Sequence, residues 1–160
     1  MLQFCQWLDQ TAVGTAIRQS LWLFPAIETV HLLGMAALVA TITVLDLRLL
    51  GLAVRQQPIS KLAARVIPLA WLGFAVQLIT GALLFSSEAV KIYGNPAFRL
   101  KMLLLLLAGV QALVFQTLTS KSLPAWDDRP SLPATAKAMG AISLLLWAAI
   151  VTAGRFIGFV

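Results

Sequence analysis

Four stretches of the chain run almost without charge for about twenty residues or more, separated by polar segments rich in Pro, Gly and Ser. This pattern limits the fold more than any other feature. A hydrocarbon layer about 30 Å thick takes roughly 20 apolar residues per helical crossing. Within it, only helices and closed barrels satisfy their own backbone hydrogen bonds. At 60% hydrophobic and 11% charged over 160 residues, the chain has too little polar surface for a water-soluble domain of its size. The expected fold is therefore all-α: an integral membrane four-helix bundle forming one domain over 1–160, with the lipid bilayer as its solvent. Its spans are expected at about 21–50, 64–85, 100–118 and 138–159.

Ahead of the first span, the segment LQFCQWLDQTAVGTAIRQ (2–19) puts Phe4, Trp7, Leu8, Ala12 and Ile17 near one helical face. This predicts an N-terminal amphipathic helix lying in the membrane interface. The segment lacks the basic start and small-residue cleavage site of a signal peptide, so Met1 onward is expected to be retained. Pro25 falls in the opening turn of the first span, and Pro68 near the start of the second is expected to bend it. The single cysteine, Cys5, has no partner for an internal disulfide and no metal-ligand spacing around it.

The formal charge of +6 is not arranged as a basic stripe interleaved with aromatics, so nucleic acid is not an expected partner. In a membrane protein, Lys and Arg report topology, because positively charged loops stay in the cytoplasm. The first and third loops and their flanks carry Arg48, Arg55, Lys61, Arg65, Lys121, Arg129 and Lys137. The opposite side carries Arg18, Lys91 and Arg99, with Lys101 and Arg155 deeper in their spans. The expected location is a bacterial inner membrane, with both termini and the second loop on the periplasmic side.

Polar residues inside spans are costly and mark functional positions. At about 100° per residue, Glu28, His31, Met35 and Asp46 fall on one side of the first helix. Gly73, Gln77, Thr80 and Glu88 share a face of the second. Lys101, Ala108, Ala112 and Gln116 share one on the third, and Ala148, Thr152 and Arg155 lie at helical spacing on the fourth. Each stripe is expected to face the bundle interior. By depth, Glu28, His31, Gln77, Thr80, Lys101 and Arg155 collect toward the periplasmic half, with Thr152 at a similar level, as a candidate cofactor pocket. Glu28 and His31 stand at i, i+3, the spacing by which bundle metalloproteins bring a carboxylate and an imidazole to one metal. This pair alone is an incomplete metal site. The plainer reading is a structural polar cluster, in which Glu28 and His31 pair with Lys101 or Arg155. Met35 reads as a packing residue, Asp46 and Arg48 as interface anchors, and Gln77, Gln111 and Gln116 as interhelical hydrogen-bond glue. Gly73 and Gly81 suggest close helix approach. No phosphate-binding glycine loop, catalytic triad or inverted repeat is legible, so the chain reads as no enzyme on its own.

The segments SLWLFPAIETVHLLGM, LDLRLLGL, ITGALLFSSEAVKIYGNPAFRLKM, WDDRP and GRFIGF together resemble a bacterial family of four-span membrane proteins of unknown function. The likeness covers nearly the whole chain. It is most specific at Glu28, His31 and Gly34, at the SEAVK and NPAFRLK stretches, and at Gly154-Arg155. More distantly, the layout resembles four-helix b-type cytochromes and the membrane domains of copper-resistance proteins, a likeness of architecture and one histidine. Family members tend to carry Asn and His in the third span where this chain has Gln111 and Gln116. If the family binds haem b through His31 and that second histidine, the resemblance implies a different arrangement here. The iron would be five-coordinate, or would take an unusual axial group or a second His31 from a homo-oligomer, with Lys101 and Arg155 pairing the propionates. Three functions remain open: a haem b-like or electron-transfer subunit, a metal or small-solute transporter, and a structural or assembly subunit of a larger membrane complex.

Overall fold

The computed structural model describes residues 2–127 and 131–159; Arg129 in the basic third loop, most of the WDDRP stretch, and the chain's two end residues lie outside the described residues. Among the described residues seven α-helices run in order: α1 Leu2–Asp9, α2 Ala12–Gln19, α3 Leu23–Leu50, α4 Ile59–Ser87, α5 Ala89–Tyr93, α6 Pro96–Val114 and α7 Ala134–Phe156. Beyond Val114 the third crossing continues through a wider π turn, Phe115–Thr119, and a 3-10 turn, Ser120–Ser122. No strand occurs among the described residues.

Four helices are long and apolar enough to cross a membrane: Leu23–Leu50, Ile59–Ser87, Pro96–Ser122 and Ala134–Phe156. The second and third reach further than the expected spans at both ends, whereas the first begins at Leu23, two residues late, and the fourth is shifted toward the N-terminus, from 138–159 to Ala134–Phe156. Only 11–22% of each apolar window is buried inside the bundle, so the remainder needs lipid around it. The chain is a multi-pass membrane protein. α3 packs along α4 and α7, and α7 along α6, whereas α4 and α6 do not pack along one another. Between them lies an apolar cleft of about 130 Å3, lined in part by Leu38, Ile42, Phe74, Leu105 and Trp147.

Lipid tails are as apolar as leucine, so these helices associate through close packing and interhelical hydrogen bonds, not water exclusion. Small residues make the packing. A Cβ on Gly140 of α7 would lie 2.9 Å from the Asp46 carbonyl oxygen and 3.1 Å from Leu49 Cβ, and one on Gly73 of α4 would lie 3.1 Å from Leu38 Cβ. Two glutamines make hydrogen bonds: Gln77 Nε2 donates to the His31 carbonyl at 2.6 Å, and Gln111 Nε2 donates to the Met139 carbonyl at 2.8 Å. Such bonds contribute about 0.6 to 2 kcal/mol each.

The structure changes several expectations. The N-terminal segment is two helices, because the Thr11 hydroxyl accepts from the Gly14 N–H and caps a second start. Its inward residues are Cys5, Gly14 and Ile17, packed against the end of α4 and against α5, whereas Phe4 and Trp7 stack outward at 5.8 Å. On α7 the buried stripe is Ala136, Gly140, Ser143, Trp147, Ile150 and Ala153. Ala148, Thr152 and Arg155 are exposed; the Thr152 hydroxyl is satisfied by its own helix, donating to Ala148 O at 2.8 Å. On α6, Ala112 is exposed as well. Asp46 and Arg48 are not interface anchors but buried side chains, 4% and 9% exposed.

The end of the bundle formed by the first and third loops is closed by Leu45, Leu49, Ile59, Leu62, Leu123 and Leu132, among others. Asp127 caps the start of α4 across this end. Its carboxylate accepts from the Ser60 N–H at 3.0 Å and from the Ser60 hydroxyl. These bonds, the hydroxyl first, hold the Asp127 carboxyl below its ordinary value. A depressed carboxylate contributes stability above its unfolded value and loses it as pH falls through the folded one. Asp127→Asn is therefore expected to melt slightly below wild type at neutral pH in detergent. The gap should close below the usual carboxylate range; a gap that persists in strong acid would refute the cap.

Candidate functional site

At the other end of the bundle, four helices bring polar groups together between two glycine-lined contacts. His31 projects from α3 toward α4, where its Nδ1 lies 2.8 Å from Thr80 Oγ1. The Thr80 hydroxyl donates its own proton to Val76 O, one turn back in α4, at 2.7 Å. That leaves its oxygen only to accept, which places the imidazole proton on Nδ1 and the free lone pair on Nε2. The ring seats against Gly81, where a Cβ would stand 3.4 Å from His31 Cε1.

Below the ring, Gln77 is 8% exposed and clamps the backbone of α3 through its Nε2. Gly34 makes that clamp: a Cβ there would lie 2.8 Å from Gln77 Nε2 and 3.1 Å from Val76 Cγ1. The Glu-x-x-His-x-x-Gly run thus combines a presented imidazole with the gap that admits its neighbour's amide. Gln77 Oε1 remains buried without a hydrogen bond among the described residues.

α6 contributes Lys101, close enough to His31 to act on it electrostatically. Its stem lies along α7 at Gly154, where a Cβ would be 3.4 Å from Nζ and 3.6 Å from Cε. Among the described residues Lys101 makes no hydrogen bond or ion pair; the ion pairs are Arg18 with Asp9 and Lys91 with Glu88. One turn nearer the membrane surface, Phe85 of α4 and Phe98 of α6 stack at 5.3 Å and 9° and bridge the two helices that do not otherwise pack. Asn95 fixes the start of α6 by accepting from the N–H groups of Ala97 and Phe98, and it donates to Ile157 O beyond α7.

Of the six residues expected in the pocket, His31, Gln77, Thr80 and Lys101 converge. Glu28 is exposed on α3, and Arg155 is exposed with its guanidinium 5.2 Å from the centre of the Phe159 ring. The Gly154-Arg155 pair therefore divides its roles: the glycine seats Lys101 and the arginine faces outward. No group of three His, Cys, Asp or Glu side chains stands together among the described residues, so Glu28 and His31 are not joined by further donors of those types. Met35 packs with the apolar cluster around Leu38 and Trp147. The roles of Gly34, Gly81 and Gly154 as seats for other side chains could not be read from a single helix, since the neighbour each admits comes from another.

No curated protein and no solved structure matches the chain. The family comparison does match, over residues 4–160, covering both the His31 run and the Gly154-Arg155 pair. The chain belongs to the family described as Family of unknown function (DUF6644).

Proposed function

We propose that the protein is a haem b-binding subunit serving electron transfer in the membrane, with His31 Nε2 as the axial ligand. The hydrogen bond between His31 and Thr80 carries this reading. A metal-ligating histidine characteristically donates its other ring N–H to a fixed acceptor, which sets its tautomer and orientation, and Thr80 is such an acceptor. Lys101, an ammonium without an ion pair among the described residues, would hold a propionate. α4 and α6 do not pack along one another, so a haem would enter between them at the level of Thr80 and Lys101; the apolar cleft of about 130 Å3 lies deeper, along Leu38, Phe74 and Leu105, and does not reach His31. On this chain His31 would hold the iron and Lys101 a propionate. Haem would supply one-electron redox chemistry. The protein's own part is to fix the imidazole proton on Nδ1, balance charge through Lys101 and exclude water behind the Phe85–Phe98 pair.

The test is an absorption spectrum, oxidised and reduced, with iron analysis on protein purified in mild detergent from cells supplied with haem. A Soret band with bound iron supports the proposal. A colourless, iron-free protein overturns it and leaves transport or assembly as the reading.

The excess of Lys and Arg around the first and third loops supports an inner-membrane orientation with that end in the cytoplasm. Arg18 of α2 donates to Ser87 O at the far end of α4, and Asn95 donates to Ile157 O, so α2 and the end of α7 lie at the His31 end. Cysteines placed at Ser60 and Gly94 in a Cys5→Ser background are expected to react with impermeant maleimide from opposite faces, Gly94 from the periplasm. Labelling of Ser60 from that face would reverse the orientation.

A further inference from the structure

Asp46 stands fifteen residues after His31 on α3, roughly 22 Å along the helix, at the other end of the bundle. It is 4% exposed, and its Oδ2 has no hydrogen-bond partner among the described residues. It sits where α3 and α7 approach closely: a Cβ on Gly140 would meet its Cα at 3.5 Å and its carbonyl oxygen at 2.9 Å. Ser143, one turn further along α7, is 7% exposed and lies on the same buried face as Gly140.

A lone carboxylate so placed needs its charge cancelled, and among the described residues the cations at this end of the bundle are turned elsewhere. Arg48, two residues on, donates through Nε to Gln57 O at 3.2 Å and faces the first loop. Lys61 and Arg65 of α4, Lys121 after α6 and Lys137 of α7 are exposed. No salt bridge involves Asp46 among the described residues.

We propose that Asp46 is a proton-binding site buried between α3 and α7. One carboxylate matches one positive charge. A metal cation, Na+ included, would call for several oxygen ligands, and one free carboxylate oxygen stands here. The free Oδ2 is the binding atom, with Ser143 the neighbouring hydroxyl on α7. The site is independent of the haem proposal, since it shares no residue with the His31 cluster.

Thermal unfolding of the full chain in mild detergent tests this, comparing wild type with Asp46→Asn and Ser143→Ala. NaCl is exchanged for choline chloride at constant ionic strength, across a pH series. A ligand bound only by the folded state shifts the folding equilibrium about tenfold for each tenfold rise in its concentration above half-saturation. Wild type is expected to gain stability as protons are added, irrespective of Na+; a gain that follows Na+ instead would overturn the proton assignment. Asp46→Asn, of nearly the same shape, should lose that dependence, and Ser143→Ala should weaken it. His31 and Asp127 titrate in all three proteins, so the difference from wild type isolates Asp46. Identical pH and Na+ dependence in wild type and Asp46→Asn would overturn the site.

Discussion

Replacing His31 with alanine is expected to remove the proposed haem and its Soret band altogether, while the four crossings stay inserted. His31 is the chain's only histidine, so no other imidazole can take over the iron. The helices do not depend on its ring. α3 and α4 remain joined by Gln77 donating to the His31 backbone carbonyl, a bond that survives any side chain at that position, and by the close contact of Gly73 with Leu38. His31→Ala should therefore elute as wild type by size exclusion yet be colourless. Thr80→Val separates ligand from orienter: it keeps the shape but removes the acceptor of the Nδ1 proton. Loss of such a partner costs 10- to 100-fold in affinity at metal sites. This variant should retain haem on expression and release it on dilution or to a competing haem-binding protein. Equal haem content in wild type and His31→Ala would refute the ligand assignment even if the protein is coloured.

Replacing Gly14 with alanine is expected to undock the N-terminal helices from the bundle. The added Cβ would lie 2.5 Å from the Ser86 carbonyl oxygen and 2.9 Å from the Leu8 carbonyl oxygen. Both obstacles are backbone, which cannot swing aside as a flexible side chain would. Overpacking of this kind costs about 1–3 kcal/mol. α1 and α2 are short helices without intrinsic stability of their own. Their attachment rests on the Gly14 contact, on Cys5 and Ile17, and on Arg18 donating to Ser87 O at 3.0 Å while it pairs with Asp9 at 2.6 Å. Cys5 reports the event, since it is 3% exposed and is the chain's only thiol. It should resist maleimide in wild type and react many-fold faster in Gly14→Ala. Gly94→Ala serves as the control, because nothing lies within 4 Å of its added Cβ, and Cys5 should stay protected there. Protection of Cys5 in both variants would show that the N-terminal helices are held by something other than this contact.

The four crossings were legible in the sequence because each is an averaged property of twenty or more residues, and no arrangement of neighbours changes whether such a segment needs lipid. Most of the stripe on the second span was legible too: Gly73, Gln77 and Thr80 each meet α3, at Leu38, His31 O and the His31 ring, while Glu88 lies just past α4 and pairs with Lys91. Periodicity failed on α7. There, polar or small residues at helical spacing occur on two faces, and Thr152 can satisfy its hydroxyl on its own backbone. The face that needs a partner is instead the one with Gly140 and Gly154, which have no side chain for a polarity pattern to register. Arg155 misled for the related reason that a long side chain near a helix end can reach out of the bundle, here onto Phe159. In the N-terminal segment, Phe4 and Trp7 carried the apolar signal, but docking selected Cys5, Gly14 and Ile17, smaller residues that let backbones approach.

The sequence by itself determined that this chain crosses a membrane four times and that His31 marks its polar centre, since burying charge and imidazole in lipid has a cost independent of what surrounds them. Only the tertiary structure decided which polar groups meet. That choice depends on steric gaps contributed by one helix to another: Gly34 for Gln77, Gly81 for the His31 ring, Gly154 for Lys101 and Gly140 for the backbone at Asp46. A glycine records nothing in a hydropathy pattern of its own helix, and its effect appears only when a second helix fills the space it leaves.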